Sequence, residues 1–172
     1  MSMSMSMSMM REVVPGLFLG SWSDAVAAME QQQSQQHQSQ QPVFVVNCSK
    51  ELPMLGRPGE GLRVPVDDDG SCVCNDAMLS HLGAATAAIR DRLAAGDRVL
   101  VHCKAGQQRS PAVVAAYLMA SAPQGVRTGS CGVDLAMSKV CARKPDAFFW
   151  TANFRDALER FGKDLSEKTK AI

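Results

Sequence analysis

An α/β layer architecture on a largely parallel sheet is what this 172-residue sequence predicts, and three observations carry the prediction. Short β-type runs, Val43-Phe44-Val45-Val46 and Val99-Leu100-Val101, alternate with helical stretches along the chain. From Asn75 to Ala95, apolar Met78, Leu82, Ala85, Ile89 and Leu93 recur at helical spacing. The stretch Ala112 to Met119 is apolar nearly all round, as a central, buried helix is.

The elements follow in order. Residues 1–10, a Met-Ser repeat, lack the charged start and continuous apolar core of a signal peptide and have nothing to pack, so they read as a disordered tail. A short helix near Asp24–Met29 precedes the Gln-rich tract 31–41, a solvated insertion in a surface loop in which His37 is a bystander. After the strand at 43–46 comes the acidic turn Asp67-Asp68-Asp69-Gly70. Asn75 is placed to cap the next helix, and Gly96 to end it before the strand at Val99. A helix around Val133–Ala142 offers Val133, Met137 and Val140 to the core, and a last one from about Thr151 sets Phe154, Leu158, Phe161 and Leu165 on one stripe. Trp150, with Phe148 and Phe149, reads as core or groove. The whole is expected to form one domain over residues 11–165 with a short tail at 166–172.

Composition excludes more than it selects. Eighteen basic against 17 acidic residues give a formal charge of +1, so no overall field draws the chain to nucleic acid. The longest apolar run, Ala112 to Ala120, is far too short to span a bilayer. Six cysteines without a secretory signal read as reduced thiols, which places the chain in an intracellular compartment, cytoplasmic or nuclear. Cys72 and Cys74 have no second pair at ligand spacing, so no metal or other cofactor is expected.

The chemistry is concentrated in Val99-Leu100-Val101-His102-Cys103-Lys104-Ala105-Gly106-Gln107-Gln108-Arg109-Ser110-Pro111. A strand ends at Cys103, and Ser110 as N-cap with Pro111 as first helical residue opens a helix. Successive amides running into a helix N-terminus bind a tetrahedral dianion, and the same field favours the thiolate of Cys103. Arg109 can grip two oxygens of the anion with its planar fork.

His102, Cys103, Gly106, Arg109 and Ser110 resemble the signature of the cysteine-dependent protein phosphatases, and the similarity to their small dual-specificity branch extends over most of the chain. Val14–Ser21 is similar to that branch's opening strand, Val45–Ser49 to its strand ending in Asn, Val64-Pro65-Val66-Asp67-Asp68 to its general-acid loop, and Arg143–Phe161 to its closing helix pair. The resemblance implies a five-stranded sheet flanked by helices. It also implies a protein phosphatase acting on phosphotyrosine and phosphoserine or phosphothreonine of a phosphoprotein substrate. In the implied mechanism Cys103 attacks phosphorus, and Arg109 with the loop His102, Lys104, Ala105, Gly106, Gln107 and Gln108 holds the phosphoryl oxygens. An aspartate protonates the leaving group, and Ser110 stabilises the sulfur when it departs. Spacing alone does not choose among Asp67, Asp68 and Asp69; the family pattern lands on Asp68.

The family usually has a small residue where Gln108 stands, and its side chain is expected to point away from the pocket. His102 is expected to order the loop through a backbone hydrogen bond. Cys48 is a candidate redox partner for Cys103, able to capture it as a disulfide if the sheet brings the two together. A phosphoinositide or other phospholipid phosphatase with the same Cys, Arg and Asp chemistry is the alternative, although Gln107-Gln108 add no basic residue to the loop. A silent phosphate-binding module and a sulfurtransferase-like loop fit less well, because the chain keeps a nucleophile, an arginine and an acid.

Overall fold

A computed structural model describes residues 10–34, 43–56, 59–123 and 129–170. The expected tail, apart from Met10, and the Gln-rich tract beyond Ser34 lie outside the described residues.

A five-stranded sheet in the order β1-β2-β5-β3-β4 forms the centre of the molecule. Strands β1 (Arg11–Val14) and β2 (Leu17–Gly20) make an antiparallel hairpin. The segment expected as one opening strand is therefore broken by Pro15-Gly16, where Gly16 takes a φ of 82°. The remaining pairings are parallel: β5 (Arg98–His102) lies between β2 and β3 (Val43–Asn47), and β4 (Gly61–Arg63) completes the far edge.

Parallel register aligns the strand ends. Gly20 pairs with His102, His102 with Asn47, and Asn47 with Arg63, so the carboxyl ends of four strands finish in one row. Parallel sheets place their reactive loops beyond such an edge.

Alternation along the strands divides the apolar residues between two faces. Phe44, Val46, Val99 and Val101 join the main core, while the equally buried Val45 and Leu100 fall on the opposite face, where α1 (Trp22–Ser34) meets β2 and β5. The main face carries α3 (Arg109–Ser121), in contact with α2 (Cys72–Ala94), α4 (Gly129–Arg143) and α5 (Arg155–Lys170). Met78, Leu82, Ala85 and Ile89 of α2 have no exposed surface, nor do Val113, Val114, Ala115 and Ala116 of α3, as the periodicity predicts. Burying each of the larger ones contributes about 1.5–3 kcal/mol.

Several boundaries differ from expectation for local reasons. Helix α1 continues through Gln31–Ser34, so these four residues are helical and not part of a loop. Helix α2 begins at Cys72 because the Ser71 side chain accepts the Cys74 N–H and caps it. Asn75 is therefore inside α2, and it caps a different helix: its Oδ1 accepts the Ala157 N–H near the start of α5 at 3.0 Å. Gly96, at φ 86°, ends α2 as expected. Helix α5 starts at Arg155 and runs to Lys170, through residues expected as a tail.

Candidate active site

The loop from Cys103 to Gln108 leaves the carboxyl end of β5 and enters α3. Its fold depends on Gly106, whose φ is 71° and where a Cβ would lie 2.7 Å from the Gly20 carbonyl oxygen and 2.9 Å from Lys144 Cε. Only glycine fits both conditions. The Gly106 N–H donates to Cys103 Sγ at 3.2 Å, and Ser110 Oγ donates to the same sulfur at 3.2 Å. Two donors converge on a sulfur at the first turn of a helix, an arrangement that stabilises negative charge. Cys103 is 2 % exposed, at the bottom of the loop.

Ser110 is thus not the N-cap of α3. The helix begins two residues earlier than expected, at Arg109, and its N-cap Gln108 makes no side-chain capping bond. The Gln108 side chain is instead turned away from the loop, as expected, and holds the segment before α5. Its Nε2 donates to the Thr151 carbonyl at 2.7 Å and the Phe149 carbonyl at 3.3 Å, and its Oε1 accepts the Asn153 N–H at 3.2 Å. The Phe148 N–H adds a bond of 2.7 Å to the Gln107 carbonyl. Phe148 and Trp150 both adopt positive φ, 56° and 69°. Phe148 packs on the core, but Phe149 and Trp150 are exposed, which corrects their expected burial.

Arg109 is buried, and its guanidinium is divided between partners. Nη1 donates to Glu51 Oε2 at 3.0 Å and to the Val66 carbonyl at 3.2 Å, and Nη2 donates to Glu51 Oε1 at 2.8 Å. Nε has no partner among the described residues and lies 4.0 Å from Asp68 Oδ2. Burial weighs most against the charge of Arg109, but the paired Glu51 carboxylate together with the Cys103 and Asp68 charges outweighs it and raises the pKa. In return the Arg109 hydrogen bond holds the Glu51 carboxyl down at about 2. Nothing in the sequence singled out Glu51, because its only signal is a position four residues past the strand-ending Asn47.

The structure separates the three aspartates. Asp67 pairs with Lys50. Asp69 Oδ1 accepts the Ser71 N–H and the Cys74 thiol, both at 2.8 Å, and these bonds, the Cys74 one foremost, lower its pKa to about 2. Asp68 alone turns a carboxylate oxygen toward Arg109, while its Oδ1 accepts Asn153 Nδ2 at 2.8 Å. Asn153, contributed 85 residues downstream, is a second residue that sequence reasoning missed.

His102 has no exposed surface, and its ring lies 5.6 Å from that of Trp22. Neither ring nitrogen meets strict hydrogen-bond geometry with a described residue, but the ring does contact the Cys103 backbone, a hydrogen-bonding contact that favours the protonated form against burial. Burial lowers the His102 pKa to about 4, and the imidazole is neutral at pH 7. Lys104 and Ala105 are exposed at the rim, with the Lys104 carbonyl accepting the Trp22 N–H at 3.1 Å. Gln107 is half-buried, with Nε2 3.5 Å from Asp146. Cys48 is fully buried beside the site: its N–H donates to the His102 carbonyl at 2.8 Å. Burial, with the Cys103 charge nearby, pushes the Cys48 thiol well above its usual range.

Comparison with known proteins gives the family. The family model for the dual specificity phosphatase catalytic domain matches residues 17–164. Human dual specificity phosphatase 28 is 40 % identical over 108 residues, covering 62 % of this chain and 56 % of that protein. Human dual specificity protein phosphatase 12 is 32 % identical over 158 residues, covering 87 % of this chain and 42 % of that one. The chain thus spans about half the length of these relatives. The crystal structure of human DUSP28 superposes with a TM-score of 0.68 at 33 % identity, over 91 % of this chain and 94 % of that one. A mouse putative dual specificity phosphatase complexed with zinc tungstate gives 0.72 at 29 % identity, over 98 % and 96 %. With a cysteine, an arginine and an aspartate gathered beyond the carboxyl edge of a five-stranded, mostly parallel sheet, the chain belongs to the family of dual specificity phosphatase catalytic domains.

Proposed function

We propose that the chain is a protein phosphatase that hydrolyses phosphotyrosine and phosphoserine or phosphothreonine through a cysteinyl-phosphate intermediate. The observation that carries this reading is the convergence of Gly106 N–H and Ser110 Oγ on Cys103 Sγ, with Arg109 Nε facing Asp68 beside it. The sulfur attacks phosphorus in line, and the loop amides of residues 104 to 109 hold the equatorial oxygens with Arg109. Glu51 fixes the far side of the guanidinium, so Nε and the free Nη2 proton form the edge presented to the phosphoryl group. Asp68 gives a proton to the departing oxygen, then takes one from the water that cleaves the intermediate. The Ser110 hydroxyl stabilises the thiolate as it leaves.

Relatives named as dual specificity phosphatases support a phosphoprotein substrate, and the structure of the mouse relative is a complex with zinc tungstate. The phospholipid alternative finds no added basic residue in the loop, where Lys104 and Arg109 are the cations. No described helix is long and apolar enough to cross a membrane. A reducing intracellular setting suits a thiolate nucleophile. The test is turnover of an aryl phosphate in the presence of chelator: wild type turns over, Cys103→Ser is inactive and Asp68→Ala is slowed. Full activity in Cys103→Ser removes the nucleophile from the mechanism.

A further inference from the structure

A chain of side-chain hydrogen bonds connects the back of the phosphate-binding loop to the acid. Gln108 grips the segment 149–153 at three backbone atoms. Thr151 Oγ1 donates to Asn153 Oδ1 at 2.6 Å and tethers that amide, and the acceptor-only Asp68 carboxylate takes its other end, Nδ2 to Oδ1 at 2.8 Å. Asn75 Nδ2 holds the Asn153 carbonyl at 2.9 Å from α2. Each of these contacts joins segments far apart in sequence or sets the rotamer of one that does.

We infer that Gln108, Thr151 and Asn153 form a positioning relay that decides which oxygen of Asp68 carries the proton. An amide nitrogen can only donate, so the oxygen facing Asn153 Nδ2 must be an acceptor in both protonation states. A carbonyl oxygen accepts more strongly than a hydroxyl oxygen, so in the acid form this donor favours Oδ1 as the carbonyl oxygen and the proton on Oδ2, the oxygen 4.0 Å from Arg109 Nε. The relay delivers the proton to the side where a leaving group departs from the phosphate held by Arg109. The Gln108 side chain makes no capping bond on α3 and is committed to the 149–153 segment instead. That segment holds Trp150 at positive φ, a conformation that persists only where surrounding contacts over-determine it.

The inference rests on Asp68 being the acid, and the test separates the two. Turnover is measured on aryl phosphates with a good leaving group, 4-nitrophenol, and a poor one, phenol, for Asp68→Ala, Asn153→Ala, Gln108→Ala and Thr151→Val, with thermal melts alongside. Thr151 is exposed, so Thr151→Val removes the hydroxyl with little risk to folding. Asp68→Ala should lose about 100-fold on the poor substrate and far less on the good one, because an activated leaving group needs little protonation. Asn153→Ala should reproduce that pattern at about tenfold, Gln108→Ala and Thr151→Val more weakly, and none should add to Asp68→Ala. Equal losses on both substrates in the relay variants, or further loss on top of Asp68→Ala, overturn the relay while leaving Asp68 as the acid. An Asp68→Ala variant indifferent to the leaving group overturns the acid assignment and the relay together.

Discussion

Glu51 and Arg109 meet through two parallel hydrogen bonds, Nη2 to Oε1 at 2.8 Å and Nη1 to Oε2 at 3.0 Å, although 58 residues separate them. The pair joins the turn after β3 to the first residue of α3 and sets the plane of the guanidinium. A bidentate pair fixes orientation as well as charge. Glu51→Gln keeps one acceptor but loses the carboxylate, so it should lower kcat/KM by about tenfold and raise KM more than it lowers kcat. Because the Glu51 side chain is 44 % exposed, the stability loss should stay near 1 kcal/mol. Steady-state kinetics with a phosphotyrosine peptide checks this; unchanged KM would mean that the arginine is positioned without Glu51.

Acid stability should fall in two stages. His102 has a folded pKa of about 4 against 6.5, so its neutral form favours folding fully above about pH 6.5 and the advantage is lost as pH falls toward 4. Glu51 has a folded pKa of about 2 against 4.5, so its contribution is complete above about pH 4.5 and is lost as pH falls through 2. Urea midpoints measured between pH 7 and 4 should decline in wild type and decline less in His102→Gln. Equal slopes for the two proteins would show that His102 titrates as an exposed histidine.

Cys48 should protect Cys103 from oxidation. The backbone bond from Cys48 N–H to the His102 carbonyl places it one residue across from Cys103, close enough for the Cys103 charge to raise the pKa of its thiol. Peroxide converts the Cys103 thiolate to sulfenic acid, and condensation with the Cys48 thiol releases water and forms a disulfide that thiol reagents reverse. Activity of peroxide-treated wild type should return on reduction, with a peptide cross-linked between Cys48 and Cys103 before it. Cys48→Ser should recover several-fold less; equal recovery would make Cys48 an inert core residue.

The parts legible in the sequence were those with local physical signatures. The run Val99–Val101 ending at Cys103, Gly106, and the apolar spacing from Met78 to Ile89 each carry their own evidence, and the structure places them as expected. Strand β4 (Gly61–Arg63) was not legible, because three half-buried residues beginning with glycine show no alternation and are ordered by pairing with β3. Helix α3 starts two residues before the place its sequence suggests, because Ser110 looks like a cap but serves the sulfur. Asn75 looked like a local cap for α2 and proved to cap α5, a relation that only tertiary packing creates. Glu51 and Asn153 were invisible for the same reason: their partners lie 58 and 85 residues away.

The most direct test of the central claim is to look for phosphate on the sulfur. Ser110→Ala removes the hydroxyl that lies 3.2 Å from Cys103 Sγ, so the second displacement should slow by about 10–100-fold while the first proceeds. Acid quenching of that variant during turnover of an aryl phosphate, followed by peptide mass spectrometry, should show a phosphorylated Cys103 together with a burst of released phenol. Turnover with Cys103 unmodified, and no burst, would contradict the account.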